Sequence, residues 1–417
     1  MKRDRLRKSL LTQIASKLFS LVVAIGIGGW TARYLGPSAL GTLSYAGALV
    51  GLLGPLGNLG VKGSLSALLC VNPPLPGLLG TALCIELVGT ALLALALVPV
   101  ALLAKDPVIP ALLGLAVLAN LFNSAEVFEA ELFNRHRGSQ VGVADFTQTL
   151  IGSVASSVAL LLQAPLLLFG ALPAFQSLVR SCSLYRAVGS KSLLGLLASA
   201  RWPAARQLIE RGWPLMLSGF AIMIYMKSDL VMLQWLRSSE EVGKYSVAVR
   251  VAESLYFLPV VLSQTFLPSL TVKSGPLSGQ IDSDVWLRLC QLSCMLGLAM
   301  TIGTVIPLAR LLPLVFGNQF KDSVVALQLL SPAAIAVSAG CVSGALLNLQ
   351  DRRGVLVCRT VIGAGANIIL NCVLIPNHGI AGAAAATTLS QFIAAYALGL
   401  LQNETRQSHL MLLCPWR

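Results

Sequence analysis

The chain has 417 residues, 56% of them hydrophobic and 11% charged, with a formal net charge of +13. Soluble domains carry about 25% charged residues, so this chain has too little polar surface to cover a water-soluble body of its size; a soluble enzyme or binding module is excluded. The basic excess does not indicate nucleic acid, because the Lys and Arg residues follow the loops between apolar segments instead of forming one patch.

In chain order, the first apolar segment, 10–34, is longer than the core of a cleaved signal and lacks a small-x-small exit, so it is read as helix one. Its Ser9, Thr12, Gln13, Ser16, Lys17 and Ser20 recur every three or four residues and share one helix face. Lipid does not tolerate such a stripe. It either packs on another helix through hydrogen bonds or lines a hydrated cavity. A tight Leu35-Gly36-Pro37 turn then leads into helix two, 40–60, which carries Ser44 and Tyr45. Helices three to six follow at 77–104, 108–133, 142–163 and 166–187; the run Gly77 to Ala104 exceeds the roughly 20 apolar residues a bilayer demands. Glu86 in helix three and Glu126 and Glu129 in helix four are expected to act as interhelical glue.

The longest polar interruption runs from Arg186 to Pro214, and its Leu-rich middle is expected to lie along the interface as an amphipathic helix. Helices seven to twelve are placed at 212–236, 244–270, 285–312, 321–349, 355–375 and 379–402. Lys227 and Asp229 lie well inside helix seven, where an ionisable group costs about 2.5–3.5 kcal/mol on insertion scales. Residues two apart point to nearly opposite sides of a helix, so one is expected to face a cavity and the other to pair elsewhere. Arg250 and Glu253 share a face of helix eight, either as a self-satisfying ion pair or in a substrate-facing role. Asn367 and Asn371 of helix eleven are read as glue. Arg33, Arg180, Arg186, Arg288, Arg310 and Arg359 lie near helix ends, where long basic side chains snorkel.

Two echoes divide the chain. "ALGTLSYA" sets Gly41, Ser44 and Ala46 at the head of helix two, as "EVGKYSVA" sets Gly243, Ser246 and Ala248 at the head of helix eight. "LFNRHRG", ending at Gly138, and "NLQDRRG", ending at Gly354, both mark the turn between the fourth and fifth spans of a half. The reading is an all-α membrane protein of about twelve transmembrane helices in two six-helix bundles related as parallel repeats. The expected boundaries are a first lobe at 1–188, a linker at 189–211, a second lobe at 212–402 and a tail at 403–417. On the outer face only Arg33, Lys105, Arg237, Lys244, Arg310 and Lys321 are expected, whereas the remaining loop Lys and Arg crowd the face of the N-terminus. By the positive-inside rule both termini are then cytoplasmic.

Catalytic chemistry has little support. The three histidines, His136, His378 and His409, sit near helix ends or in the tail, no metalloprotease, serine-hydrolase or phosphate-loop motif occurs, and the nine cysteines form no C-x-x-C pair. No metal site and no cofactor is expected. "IDSDVW" gives Asp282 and Asp284 the spacing used to hold a metal-bound sugar nucleotide, but the same residues serve as helix N-caps, so an enzyme remains the outside reading.

"TARYLGPSALGTLSYA", "KSDLVML…EEVGKYSVAVRVAESLYFLP", "PLVFGNQFKDSVVALQLLSP" and "NIILNCVLIPNHGIAGAAAATTLSQ" together resemble polysaccharide-repeat flippases, the O-antigen and exopolysaccharide exporters of the multidrug/oligosaccharidyl-lipid/polysaccharide (MOP) exporter superfamily. The resemblance implies a MATE-like fold of two six-helix lobes with a cavity between helices one, two, seven and eight. It implies a cargo of undecaprenyl-pyrophosphate-linked oligosaccharide, moved across the bacterial cytoplasmic membrane for surface polysaccharide, with a polysaccharide polymerase and a chain-length regulator as partners. For an anionic pyrophosphate, Lys17, Lys227 and Arg250 are the expected cationic contacts; Gln13, Ser16, Ser20 and Tyr45 are placed against sugar hydroxyls, and Asp229 or Glu253 as ion carriers. A cation or drug antiporter of the same superfamily, a lipid II flippase and a membrane glycosyltransferase are the competing expectations.

Overall fold

A computed structural model describes residues 2–69, 77–104, 106–189, 192–270, 283–349 and 353–397. Among them every regular element is a helix. Ten helical stretches are long and apolar enough to cross a membrane. Two of these, Phe19–Leu69 and Gly354–Tyr396, run to 51 and 43 residues, about twice what one crossing needs. Each is broken by a glycine whose backbone no L side chain adopts without strain: Gly36 at φ 72°, ψ 172°, and Gly379 at φ 53°, ψ −129°. Counted across those breaks, the described residues hold twelve such stretches, the number expected.

The polar interruption is shorter than the sequence suggests. Leu193–Ala198 forms a brief helix whose N-cap, Ser192, accepts from the Gly195 N–H. Helix seven then begins at Trp202, well before residue 212, with Pro203 in its first turn, where a missing N–H costs nothing. It continues without a break to Leu236.

The chain forms two compact units, one of Met1–Leu35 with Thr42–Met223, the other of Gly36–Gly41 with Ile224–Arg417. Their border lies inside helix seven. In the first unit Leu65, Leu68, Ala82, Phe128, Leu132, Leu184 and Leu208 are buried together. A smaller cluster gathers around Phe169 and Ala164, where the Tyr34 hydroxyl donates to the Ala164 carbonyl at 3.1 Å. In the second unit Trp286, Leu289 and Cys290 pack on Ala336, Ala339 and Val342; the small residues let the helix backbones approach closely. Large apolar side chains such as Leu102, Leu103, Leu161 and Ile369 point outward, as suits a surface bathed in hydrocarbon.

The segment Gly36–Gly41 belongs to the second unit through the expected hinge. A Cβ on Gly41 would strike the backbone of Ser239 and Gly243, so only glycine lets these helix heads meet. Helix eight starts beside this contact, capped by Ser238, whose hydroxyl accepts from the Glu241 N–H.

Candidate functional site

Each unit buries polar groups that apolar surroundings would not hold without partners. In the second unit, helix seven carries Lys227, Ser228 and Asp229 in succession, and helical geometry sends them three ways. Lys227 reaches helix eight, where its ammonium sits 3.2 and 3.3 Å from the two carboxylate oxygens of Glu253; both side chains keep about a quarter of their surface exposed. Asp229 turns inward and is 1% exposed. It accepts from the Tyr245 hydroxyl at 2.6 Å, the Thr387 hydroxyl at 3.1 Å and the Leu230 N–H at 2.8 Å. Ser228 donates to Asn367 Oδ1 at 2.7 Å, and the same oxygen accepts from Asn371 at 2.9 Å. Lys227 and Asp229 thus turn to different neighbours and both are paired; Asn367 joins helix seven to helix eleven, whereas Asn371 bonds Asn367 on its own helix and its Oδ1 has no hydrogen-bond partner among the described residues.

The pairing of Glu253 differs from the self-satisfying alternative. Its ion pair is with Lys227 of the neighbouring helix, while Arg250, one turn back on helix eight, is exposed. Immediately past Glu253 the helix is interrupted, resuming at Phe257. The backbone is not unwound there: the N–H groups of Leu255, Tyr256 and Leu258 donate to the carbonyls of Ala252, Glu253 and Leu255, so the helix tightens to i, i+3 bonds for one turn.

In the first unit the central feature is Arg180, which the sequence reading left to snorkel at a helix end. Its guanidinium lies 2.8 Å from Asp145, 2.7 Å from Glu129 and 3.8 Å from Glu126, with 14% of the side chain exposed. Snorkelling loses here because three carboxylates converge from two neighbouring helices and satisfy the guanidinium in place. Lys62 closes the same network, 3.0 Å from Glu126 and 3.7 Å from Glu129. Glu126 and Glu129 are the expected glue. Glu86 is not: it is 3% exposed, and its carboxylate has no hydrogen bond or ion pair among the described residues.

Of the helix-one stripe, Ser16 is buried and Ser20 shares a 2.8 Å hydrogen bond with Thr149 of helix five. Tyr45 is buried in the same unit. The side chains of Gln13, Lys17 and Asp284, and Asp282 altogether, lie outside the described residues. The sequence reading passed over Asp145, Tyr245 and Thr387. The i, i+3 and i, i+4 spacings that mark one helix face carry no information about partners on another helix.

Residues 8–271 match the sequence profile of a family described as polysaccharide biosynthesis protein. A relative in Haloferax volcanii, the probable low-salt glycan biosynthesis flippase Agl15, is 26% identical over 186 residues, which cover 45% of this chain and 39% of that protein. Among solved structures, a multidrug resistance MATE family transporter of the MOP superfamily in an inward-facing conformation aligns over 97% of this chain and 98% of its own, with TM-score 0.72 and 14% identity. The lipid II flippase MurJ in an inward closed conformation aligns over 97% of this chain and 90% of its own, with TM-score 0.66 and 15% identity. A Vibrio cholerae MATE transporter, VcmN, gives 0.57 at 14% identity, covering 98% of both chains. At these identities the structural likeness establishes the fold.

Proposed function

Because this chain belongs to the polysaccharide biosynthesis protein family and is similar to the probable glycan biosynthesis flippase Agl15, we propose that it moves a polyprenyl-pyrophosphate-linked oligosaccharide across the membrane by alternating access. The carrier is undecaprenyl in a bacterial cytoplasmic membrane, both termini face the cytoplasm, and the cargo feeds surface polysaccharide synthesis by a polymerase and its chain-length regulator. The reading rests above all on Lys227: a cation held at membrane depth, part-exposed, with a carboxylate partner it can leave. A pyrophosphate crossing hydrocarbon needs cationic contacts to offset its desolvation. Lys227 provides one, Arg250 and Lys17 are the further cations of the scheme, and Gln13, Ser16, Ser20 and Tyr45 meet the sugar.

When the phosphate takes the ammonium, Glu253 loses its counter-charge and must take up a proton or a cation, so substrate and ion binding are linked through one carboxylate. Asp229 is the second candidate carrier, buried among hydroxyl donors. Lys17→Ala and Lys227→Ala should each lower surface polysaccharide per amount of folded protein and raise the pool of unflipped lipid-linked precursor. Unchanged polymer and precursor in both variants would defeat the proposal.

A further inference from the structure

Glu86 has no part in the transport scheme above, yet among the described residues it is the buried carboxylate with the least support. It is 3% exposed, and Lys62, the cation whose charge acts on it, is already engaged by Glu126 and Glu129. A carboxylate kept inside a membrane lobe without a partner is costly and marks a function by default. It opens onto a cavity of about 550 Å³ that lies wholly within the first unit, within the ~300–1,000 Å³ usual for small-molecule sites.

Helices two, three, four and seven line this cavity, and two of them are interrupted beside it. Helix two stops at Asn58 and restarts at Val61, through Leu59 and Gly60, both at positive φ. Helix four stops at Asn123 and restarts at Glu126. Asn58, Gly60, Asn123 and Ser124, at these breaks, all line the cavity.

We infer that this cavity is a sugar-binding pocket that takes one ring of the glycan, with Glu86 accepting from its hydroxyl groups. The inference rests on the flippase reading for the identity of the cargo and on the cavity for its chemistry. Sugar hydroxyls both donate and accept, and the lining offers both functions: a carboxylate that accepts, and the carboxamides of Asn58, Asn120 and Asn123 that do either. Pro55, Met216 and Met223 add apolar surface for the C–H face of a ring. A cation site would present oxygen atoms alone, and an ion no larger than a water, which occupies about 30 Å³ in the liquid, would leave most of the space empty.

The glycines fit the same purpose. A Cβ on Gly57 would come 2.6 Å from Asn120 Oδ1, so its absence makes room for that carboxamide, which the Thr90 hydroxyl holds at 3.1 Å. A Cβ on Gly54 would meet nothing within 4 Å; this position faces the open cavity.

The test uses the full-length protein in lipid nanodiscs and saturation-transfer NMR with free glucose, galactose, rhamnose, N-acetylglucosamine and glucuronate. At least one sugar should bind the wild type, binding should weaken tenfold or more in Glu86→Gln, and it should vanish in Gly54→Leu, which fills the cavity while leaving Glu86 in place. Binding that survives both substitutions, or none to the wild type, overturns the pocket. Radioactive sodium retained by the wild type and lost in Glu86→Gln, with no sugar bound, overturns it in favour of a cation site. If the wild type flips a lipid-linked glycan and both variants match its rate, the pocket falls and the flippase reading stands. If sugars bind as expected but the wild type flips nothing, the flippase reading falls alone.

Discussion

Gly41 and Gly243 meet reciprocally: a Cβ on Gly41 would strike the carbonyl of Ser239, and a Cβ on Gly243 would strike the carbonyl of Pro37. The chain length from Gly41 to Gly243 equals that from Pro37 to Ser239, so the two close approaches are one contact seen from either helix head. Overpacking a core costs about 1–3 kcal/mol, and here the obstructing atoms are backbone, which cannot rotate away. Gly41→Ala and Gly243→Ala should each lower the melting temperature of the detergent-solubilised protein. The double variant should cost less than the two added together, because either substitution already separates the helix heads. Unchanged melting in both single variants would show that the close approach is dispensable.

The two hinge turns reach that contact by different means. Gly36 turns the chain at φ 72°, ψ 172°, whereas the corresponding Ser238 is extended at φ −157°, ψ 160° and caps helix eight. Gly36→Ala should therefore cost about 1–3 kcal/mol in backbone strain, and Ser238→Ala about 0.5–2 kcal/mol in a lost cap. Ser238→Gly should cost only a few tenths of that unit, because glycine is itself tolerated at a helix N-cap. Thermal denaturation of the three variants separates strain from capping; equal losses at both positions would contradict the distinction.

Arg180 holds Asp145, Glu129 and, more distantly, Glu126. Removing one partner of a buried ion network leaves uncompensated charge, at about 3–5 kcal/mol. Arg180→Leu should thus reduce folded protein in the membrane sharply, with Arg180→Lys recovering only part because an ammonium lacks the planar fork that serves two carboxylates at once. Adding Asp145→Asn and Glu129→Gln to Arg180→Leu should restore folding. Normal yield from Arg180→Leu alone would mean the network carries no structural load.

Much of the fold is legible in one dimension because a bilayer dictates it. Apolar runs of fixed minimum length give the crossings, and the glycine echo at Gly41 and Gly243 gives the repeat. Lys227 and Asp229 could be separated by helical geometry alone, since two positions on one helix have a fixed angular relation. The partners could not. Glu253 chooses Lys227 on another helix over Arg250 on its own, and Arg180 is satisfied by helices four and five instead of by water. Those choices follow from which helix faces meet, which no spacing within one helix encodes. Glu86 shows the converse: the sequence gives its depth, and only the packed lobe reveals that no side chain among the described residues bonds to its carboxylate.

The Lys227–Glu253 pair separates stability from transport. Lys227→Ala strands the Glu253 carboxylate and should lower both protein yield and flipping. Combining it with Glu253→Gln removes the stranded charge, so yield should recover while flipping does not. Recovery of both, measured as folded protein by size-exclusion chromatography and as surface polysaccharide in cells, would reduce the pair to a structural bridge.

The most direct measurement is translocation in vesicles that contain only the purified protein and a fluorescent polyprenyl-pyrophosphate-linked sugar, scored by the fraction accessible to a reagent outside. The wild type should equilibrate the lipid between leaflets, and Lys227→Ala should slow this tenfold or more at equal protein. Vesicles with and without the wild type that exchange at the same slow rate, or a Lys227→Ala variant that keeps the full rate, would contradict the cationic passage on which the account depends.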